Sequence, residues 1–345
     1  MSKQQKIKTF DPNGVGLENG HFIGLPFEEE EAEIVLLSIP WDVTVSYNDG
    51  TANGPTNILK ASTQLDLFDE DVPDAWKRGL FMRPPSEEWL QRNTALRIKA
   101  LSYINWLEEG SLTGQKEAMD QIREEVNRAC EELKEAVKQN VSVLLGKGKL
   151  VGLIGGDHSC PLGYLEALAE RHEAFGVLQI DAHMDLRKAY EGFTYSHASV
   201  FYNALELPQI TRLLQVGVRD FCEEEYALAN ADDRIKVFYE KDIRTHLYQG
   251  GTFASLCAKM IESLPQKVYV SFDIDGLDPK LCPNTGTPVP GGFELQEAFF
   301  LFRQIVASGR QIIGFDLCEV AGAGEWDGNV GARVAYKLSN LLELK

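Results

Sequence analysis

The sequence predicts an α/β fold in which helices cover both faces of a mostly parallel central sheet. Two observations predict it: short apolar runs alternate with helical patterns, and histidines or aspartates follow several of these runs. Such alternation is typical of strand–helix–strand units, whose parallel strands are buried on both faces. In order along the chain, the runs interpreted as strands are residues 34–39, 150–154, 176–181, 212–216, 235–238, 267–272 and 311–316.

The stretch after the first predicted strand, residues 41–62, is interpreted as a loop followed by a helix. Gly54 and Pro55 favour a helix start, because proline is well suited to the first turn of a helix. Thr44, Ser46 and Asn48 lie where the end of the strand would face a site. They are candidates for substrate contact, although turn formation explains them equally well.

A helical excursion is expected at about residues 69–148. Within it, residues 113–145 carry apolar side chains at three- and four-residue steps opposite a charged face, which predicts an amphipathic helix. Residues 73–107 are rich in aromatic side chains, so they are expected to form a lid or a subunit contact, or to pack as an ordinary excursion. With the excursion included, residues 1–345 are interpreted as a single domain.

Composition argues against several classes of protein. The formal net charge of −18, from 34 basic and 52 acidic residues, argues against binding nucleic acid through its phosphates. No apolar stretch approaches the ~18 residues that a membrane span requires, and the amino terminus lacks the apolar core of a signal peptide. Six cysteines without a CxxC pair are typical of reduced thiols. We therefore expect a cytoplasmic protein with no membrane or nucleic-acid partner.

Three short segments place metal-binding residue types at the ends of predicted strands. They are GGDHS at 155–159, DAHMD at 181–185 and SFDIDGLDP at 271–279. Side chains two positions apart in a strand share a face, so the ligands within each of the last two segments point the same way. Each segment alone can be explained as a helix cap or a turn, but together they meet at one edge of a parallel sheet. The candidate metal ligands are His158, Asp181, His183, Asp185, Asp273 and Asp275.

This set of residue types is suited to two divalent metal ions. Four carboxylates offset the charge of the cations, and bridging carboxylate oxygens hold such ions about 3.5–4 Å apart. A mainly oxygen environment favours Mn²⁺, while the imidazoles leave Ni²⁺, Co²⁺ or Zn²⁺ possible. The sequence therefore predicts a two-metal hydrolase in which Asp185 or Asp181 accepts a proton from the attacking water.

The three segments resemble the signature set of the ureohydrolase family, which comprises arginases, agmatinases and their relatives. The resemblance runs in order from about residue 34 to the end of the chain, and the metal set matches the family pattern at every position. It implies a single-domain, three-layer α/β/α arginase-like fold and two manganese ions held by the six residues named above. It also implies a homo-oligomer, either a trimer or a hexamer.

The resemblance assigns roles to two further residues. His197, in YEGFTYSHAS, matches a mobile proton shuttle of the agmatinase form, a task suited to an imidazole that titrates near neutrality. Glu319, in FDLCEV, matches the carboxylate that binds the substrate guanidinium through paired hydrogen bonds. Both are expected to bind substrate. The run AGAGEWDGNVGARVAYKL after Glu319 departs from the family pattern, which leaves the mouth of the pocket open to question.

The implied reaction is hydrolysis of a guanidino C–N bond in a small cationic substrate, giving urea and an amine. The stretch RKAYEGFTYSHAS after DAHMD resembles the agmatinase version, which favours agmatine as substrate and putrescine as product. The alternatives are a guanidine hydrolase acting on free guanidine, with Ni²⁺ possible, and a guanidinobutyrase or arginase-like enzyme. A hypothesis of another class is a metal-binding pseudoenzyme or regulatory subunit.

Overall fold

One parallel sheet organises the molecule, in a computed structural model that describes residues 1–111 and 114–344. Its eight strands within the described residues are β1 (Ile34–Ile39), β2 (Leu80–Met82), β3 (Leu150–Gly155), β4 (Phe175–Ile180), β5 (Ile210–Val216), β6 (Ile235–Phe238), β7 (Lys267–Asp273) and β8 (Gln311–Cys318). The strand order is β2-β1-β3-β8-β7-β4-β5-β6, and every pairing is parallel. The seven strands predicted from the sequence are confirmed, with ends that differ by at most two residues.

Helices cover both faces of this sheet. They are α1 (Lys3–Thr9), α2 (Gly54–Ser62), α3 (Glu87–Glu108), α4 (Lys116–Gly146), α5 (Leu162–Ala169), α6 (Val200–Ala204), α7 (Glu223–Ala231), α8 (Glu240–Tyr248), α9 (Phe253–Glu262), α10 (Leu295–Ala307) and α11 (Glu325–Leu341). Successive side chains of a strand point to opposite faces. Accordingly, Ile34 and Leu36 belong to a core cluster shared with α2, α9, α10 and α11, while Val35 and Leu37 belong to one shared with α3, α4, α5 and α6. This is the expected three-layer α/β/α arrangement.

The excursion differs from its prediction in one respect. It was expected to be helical, but it also supplies β2, which pairs with β1 at the edge of the sheet. Three residues are too short for an alternating pattern to be visible in the sequence. The predicted helix at 113–145 is found as Lys116–Gly146, and residue 113 lies outside the described residues. Its apolar face is buried in the core, as the periodicity predicts.

The cysteines and the helix lengths bear on the remaining expectations from composition. Each of the six cysteines is a free thiol. Within residues 1–111 and 114–344, we find no helix that combines the length and the apolar character needed to cross a bilayer.

Close packing of α4 on α5 gives a stability prediction. A Cβ atom at Gly163 of α5 would lie 2.1 Å from the carbonyl oxygen of Lys134 in α4. Gly163→Ala must therefore separate the helices, and we expect it to lower the free energy of unfolding by about 1–3 kcal/mol. Urea denaturation measures the change.

Gly146→Ala is the matched control, because a Cβ atom there meets nothing within 4 Å. It is expected to raise the free energy of unfolding by about 0.4–1 kcal/mol through the lower entropy of the unfolded chain. Equal effects of the two substitutions would contradict the close approach of α4 and α5.

Candidate metal centre

The carboxyl ends of neighbouring strands bring the six candidate ligands to one edge of the sheet. His158 follows β3, Asp181, His183 and Asp185 follow β4, and the two remaining aspartates lie at the end of β7. In the strand order these three strands are separated only by β8, so their ends are close together. Five of the six side chains are buried, and that of His183 is 24% exposed.

The ligands form two groups that share Asp181. In the first group, Nδ1 of His158 lies 3.0 Å from Oδ2 of Asp181 and 3.0 Å from Oδ2 of Asp185. In the second, Nδ1 of His183 lies 3.1 Å from Oδ2 of Asp275 and 3.5 Å from Oδ1 of Asp181. The potential ligand atoms of each group all lie within 4.8 Å of one another. The two oxygens of Asp181 therefore face different groups, as those of a bridging carboxylate do.

Asp273 lies beside the first group. Its Oδ2 is 3.4 Å from Nδ1 of His158, and its Oδ1 accepts a hydrogen bond of 2.8 Å from the backbone N–H of Asp275. One oxygen is thus held by the backbone while the other faces the ligands. The structure brings all six predicted residues together.

The orientation of His158 is a test of whether a cation fits. Its Nε2 lies 2.9 Å from Oγ of Ser271, which donates a hydrogen bond of 2.7 Å to Asp316. Because the serine proton is committed to Asp316, the serine oxygen accepts from Nε2–H, and Nδ1 presents its lone pair to the carboxylates. Nδ1 is buried and has no hydrogen bond of normal geometry to a described residue. A lone pair facing three carboxylates is stabilised by a cation between them.

The electrostatics lead to the same conclusion. Burial and then the charge of Asp181 raise the pKa of Asp185 to about 7. Burial and then the charge of Asp275 raise the pKa of Asp273 well above its usual range. These shifts reflect carboxylates that are crowded together away from water. Divalent cations at the two groups would relieve the repulsion, so the residues present fit metal ions.

Two site residues have a strained backbone. Asp185 and Glu319 have φ angles of 54° and 63°, in the left-handed region that residues other than glycine seldom adopt. Neighbouring groups hold both. The carbonyl of Asp185 accepts from the N–H of Phe201 at 3.1 Å, and the N–H of Glu319 donates to the carbonyl of Gly156 at 2.7 Å. Strain of this kind persists where surrounding structure enforces it, most often at functional sites.

Glu319 lies in the wall of the same pocket as the ligands. Its Oε1 accepts a hydrogen bond of 2.9 Å from the backbone N–H of His158. Burial and then the charge of Asp157 raise the pKa of Glu319 well above its usual range. A cationic group beside this carboxylate would favour its ionised form.

His197 also lines the pocket but belongs to neither ligand group. Its ring is perpendicular to that of Tyr190, with centroids 6.0 Å apart, and its Nδ1 lies 3.2 Å from Oγ of Ser196. Burial and then the charge of His183 lower the pKa of His197 to about 3. The sequence argument assumed that the pKa of His197 is near neutrality. The structure places this pKa far lower, so almost no protonated ring is present at pH 7.

The pocket is a cavity of about 530 Å³ that extends outward from the ligands. Ser46, a candidate from the loop after β1, lines the cavity, whereas Thr44 and Asn48 do not. The wall beyond the ligands includes Ser46, Tyr47, Arg187, Tyr190, Asp220 and Phe221. The atypical run after Glu319 is elsewhere, because residues 321–324 line a separate cavity.

Sequence reasoning missed the residues that support the ligands. Besides Ser271 and Asp316, Gln179 donates a hydrogen bond of 2.9 Å to Oδ2 of Asp181. All three are polar residues within otherwise apolar strands and are fully buried. That position is the signal that would have revealed them, since a buried polar side chain in a strand needs a partner.

The shared carboxylate and its support give a prediction about metal content. After loading with Mn²⁺ and desalting, elemental analysis should find about two metal ions per chain. Asp181→Ala should retain less than half of this content, because both groups lose a ligand. Ser271→Ala should bind metal about 10–100-fold more weakly, because the ring of His158 loses its orienting partner.

Asp220→Asn is the control for both variants, because Asp220 lines the same cavity outside the ligand groups. Its metal content should equal that of the original sequence. Full metal content in Asp181→Ala would rule out the bridging position of that carboxylate.

Known proteins resemble this chain in sequence and in structure. The profile of the arginase family matches residues 32–342. The N(1)-aminopropylagmatine ureohydrolase of Synechocystis sp. is 30% identical over 89% of this chain and 88% of its own length, and the agmatinase of Bacillus subtilis is 27% identical over 87% of each. The structure of proclavaminate amidino hydrolase from Streptomyces clavuligerus superposes with a TM-score of 0.72, at 21% identity over 95% of this chain and 98% of that one. The chain belongs to the arginase family and is a ureohydrolase.

Proposed function

We propose that this ureohydrolase cleaves a guanidino compound that carries a second cationic group on a flexible tail, with agmatine as the best candidate. The products would be urea and an amine, putrescine in the case of agmatine. The observation that carries the proposal is the shape of the cavity. One continuous space joins the ligand groups and Glu319 to an outer wall that includes an unpaired carboxylate.

The metal requirement follows from the donor set. We propose two divalent ions, with Mn²⁺ preferred because oxygen donors outnumber the two imidazoles, and Ni²⁺ as the second candidate. His158, Asp181, Asp185 and Asp273 would hold one ion. His183 and Asp275 would hold the other, together with Asp181, which the two groups share. When bound, such a pair supplies Lewis-acid activation of water.

Glu319 is proposed to bind the guanidinium. Its Oε1 is held by the backbone of His158, whereas its Oε2 makes no hydrogen bond to a described residue and lies near Gly286. A Cβ at Gly286 would approach Oε2 to 3.3 Å, so glycine keeps this side of the carboxylate open. A planar guanidinium can donate to that oxygen, and its charge would stabilise the ionised carboxylate.

His197 is proposed to transfer the proton that the leaving amine needs. The reaction adds a water oxygen to the guanidino carbon and breaks the C–N bond, so both protons of the water end on the amine nitrogen, which leaves as an ammonium group. Asp185, one of the candidate ligands, is suited to accept a proton first, and His197, which lines the same cavity, is suited to deliver one. A ring that is neutral at rest gains its proton only during the reaction.

The outer wall supports a substrate with a cationic tail. Asp220 is exposed, and its carboxylate forms no hydrogen bond or ion pair with a described residue. Phe221 beside it presents an aromatic surface of the kind that attracts ammonium groups. Arg187 also lines the cavity, but Glu225 lies 3.8 Å from it and offsets its charge. Two of the three proteins compared above are named for aminopropylagmatine and agmatine, which fits this arrangement, and the third is named for proclavaminate.

We further propose that the enzyme acts in the cytoplasm as a homo-oligomer, either a trimer or a hexamer, as the family resemblance implies. Light scattering of the purified protein measures the oligomer size. A mass equal to that of one chain would contradict this part of the proposal.

A urea-release assay tests the substrate. The Mn²⁺-loaded enzyme should turn over agmatine faster than arginine, guanidinobutyrate or free guanidine. Only agmatine combines a guanidinium with an amine that has no carboxylate beside it. Asp220→Asn should raise the KM for agmatine by about 1.5–5-fold, the value of one exposed ion pair. Asp233→Asn is the control, because Asp233 is exposed and does not line the cavity.

The other outcomes of this assay are informative. Turnover of free guanidine alone, especially with Ni²⁺, would replace the proposal with a guanidine hydrolase. No urea from any of the four compounds with either metal would favour the pseudoenzyme or regulatory subunit.

The proposed proton transfer gives a separate prediction. His197→Ala should lower kcat by about 10²–10⁴-fold, the usual range for a lost general acid or base, while metal content stays unchanged. His246→Ala is the control, because the imidazole of His246 pairs with the hydroxyl of Ser255 at 2.9 Å and lies outside the cavity. Loss of a metal ion in His197→Ala would show that His197 is a ligand and not a proton carrier.

A further inference from the structure

The loop that carries His197 is held by a side chain from the excursion. Asn127 of α4 donates a hydrogen bond of 3.0 Å from Nδ2 to the carbonyl of Gly192, and its Oδ1 accepts one of 2.8 Å from the N–H of Thr194. A side-chain amide that pairs with both a donor and an acceptor of one backbone segment fixes that segment in position and in orientation. His197 lies three residues beyond Thr194.

The turn before His197 fits between the two long helices. The N–H of Tyr190 donates to the carbonyl of Phe193 at 3.1 Å, and the N–H of Phe193 donates back at 2.8 Å. Both central residues are left-handed, with φ of 53° at Glu191 and 79° at Gly192, as a tight type I′ hairpin turn requires. A Cβ at Gly192 would lie 2.9 Å from the hydroxyl of Tyr103 in α3, so the turn is pressed against that helix.

A second contact of the same kind holds another part of the cavity wall. Arg97 of α3 is buried and donates from Nη1 to the carbonyls of Val45 at 2.6 Å and Val43 at 3.2 Å. This backbone segment continues directly into Ser46 and Tyr47, which line the cavity. An arginine that donates to two carbonyls two residues apart in a loop restricts the backbone conformations open to that loop.

One turn earlier in α3, Asn93 reinforces this contact. It exchanges two hydrogen bonds with Asp42, of 2.7 Å from the backbone N–H of Asp42 and of 2.8 Å to its carboxylate. The other carboxylate oxygen of Asp42 accepts from the N–H groups of Gly50 and Ala52 at 2.7 and 3.1 Å. The loop between β1 and α2 is thus tied at both ends to α3.

We infer that the excursion is part of the catalytic apparatus, because α3 and α4 position two loops that both line the cavity. Asn127 is a positioning residue for His197, and Arg97 is a positioning residue for the wall at Ser46 and Tyr47. The kinetic part of this inference rests on the proposed function. Loss of the Asn127 contact should lower kcat, since its loop carries the proposed proton donor. Loss of the Arg97 contact should raise KM, since its loop encloses substrate.

The experiment measures backbone order and kinetics in the full-length, Mn²⁺-loaded enzyme. Asn127→Ala should speed amide hydrogen exchange in peptides covering residues 190–199 and lower kcat about 10–100-fold, the cost of a misplaced catalytic group, with KM nearly unchanged. Arg97→Met should speed exchange at residues 43–50 and raise KM about 10-fold with a smaller change in kcat. Arg97→Lys should recover part of the loss, because an ammonium also donates to the Val43 and Val45 carbonyls.

Matched controls come from the same helices. Asn140→Ala lies on α4 and removes a contact with Arg83, and Lys99→Ala lies on α3 and removes an exposed ion pair with Glu125. Both should leave exchange in the two loops and both kinetic constants unchanged. Asn127→Asp keeps the acceptor for Thr194 and loses the donor to Gly192, so its loop should exchange at an intermediate rate even where Asn127→Ala folds poorly.

Unchanged exchange at residues 190–199 in both Asn127 variants would overturn the inference, whatever the activity. Equal effects of Arg97→Met and Lys99→Ala on exchange at residues 43–50 would overturn the positioning role of Arg97. The original protein could release urea from no guanidino compound while the Asn127 variants still exchange faster at residues 190–199. That result would support the positioning role and overturn the proposed function.

Discussion

The confinement of negative charge around Nδ1 of His158 is the constraint on which the rest of the structure depends. Three carboxylate oxygens face this atom within 3.4 Å, and all four side chains are buried at the floor of the cavity. Isolated carboxylates do not remain ionised together in such surroundings, so the arrangement is stable only with positive charge among them. The parallel strands make the crowding possible, because their ends deliver charged residues to one edge while their apolar interiors secure the fold. The proposed chemistry uses the same confinement, since the cations that stabilise the carboxylates are those that activate water.

Much of this arrangement could be predicted from the sequence, and the exceptions have physical causes. The seven longer strands follow from apolar runs, and the convergence of the six candidate ligands follows from histidines and aspartates at the ends of three of these runs, which is a local pattern. Strand β2 is three residues long and is stabilised by its neighbour β1, so nothing within its own sequence distinguishes it. Ser271 and Asp316 are adjacent only because β7 and β8 pair in a particular register. The lowered pKa of His197 depends on burial by residues distant in sequence. Properties that arise from pairing and enclosure are not visible in the order of residues alone.

The excursion shows how a segment with few recognisable features becomes integral to a site. One of its helices, α4, was predicted as an amphipathic packing element, and both α3 and α4 cover one face of the sheet. Their polar residues have a second role that periodicity does not reveal, since Asn93, Arg97 and Asn127 bond to loop backbone and not to other side chains of the helices. Loops are the mobile parts of a fold, and catalysis requires them to be held within a fraction of an ångström. Side-chain donors on rigid helices meet that requirement.

The hydrogen bond from the backbone of His158 to Glu319 has a consequence for how this protein can diverge. The residue proposed to bind the guanidinium is hydrogen-bonded to a residue proposed to hold a metal ion, and the two follow strands that lie side by side in the sheet. Exchanging Glu319 to accommodate a new compound would therefore disturb metal retention as well. Substitutions in the outer wall of the cavity, at positions such as Asp220 and Phe221, can change substrate preference more freely than substitutions of Glu319. Variation among homologous enzymes should be concentrated at the entrance of the cavity and sparse at its floor.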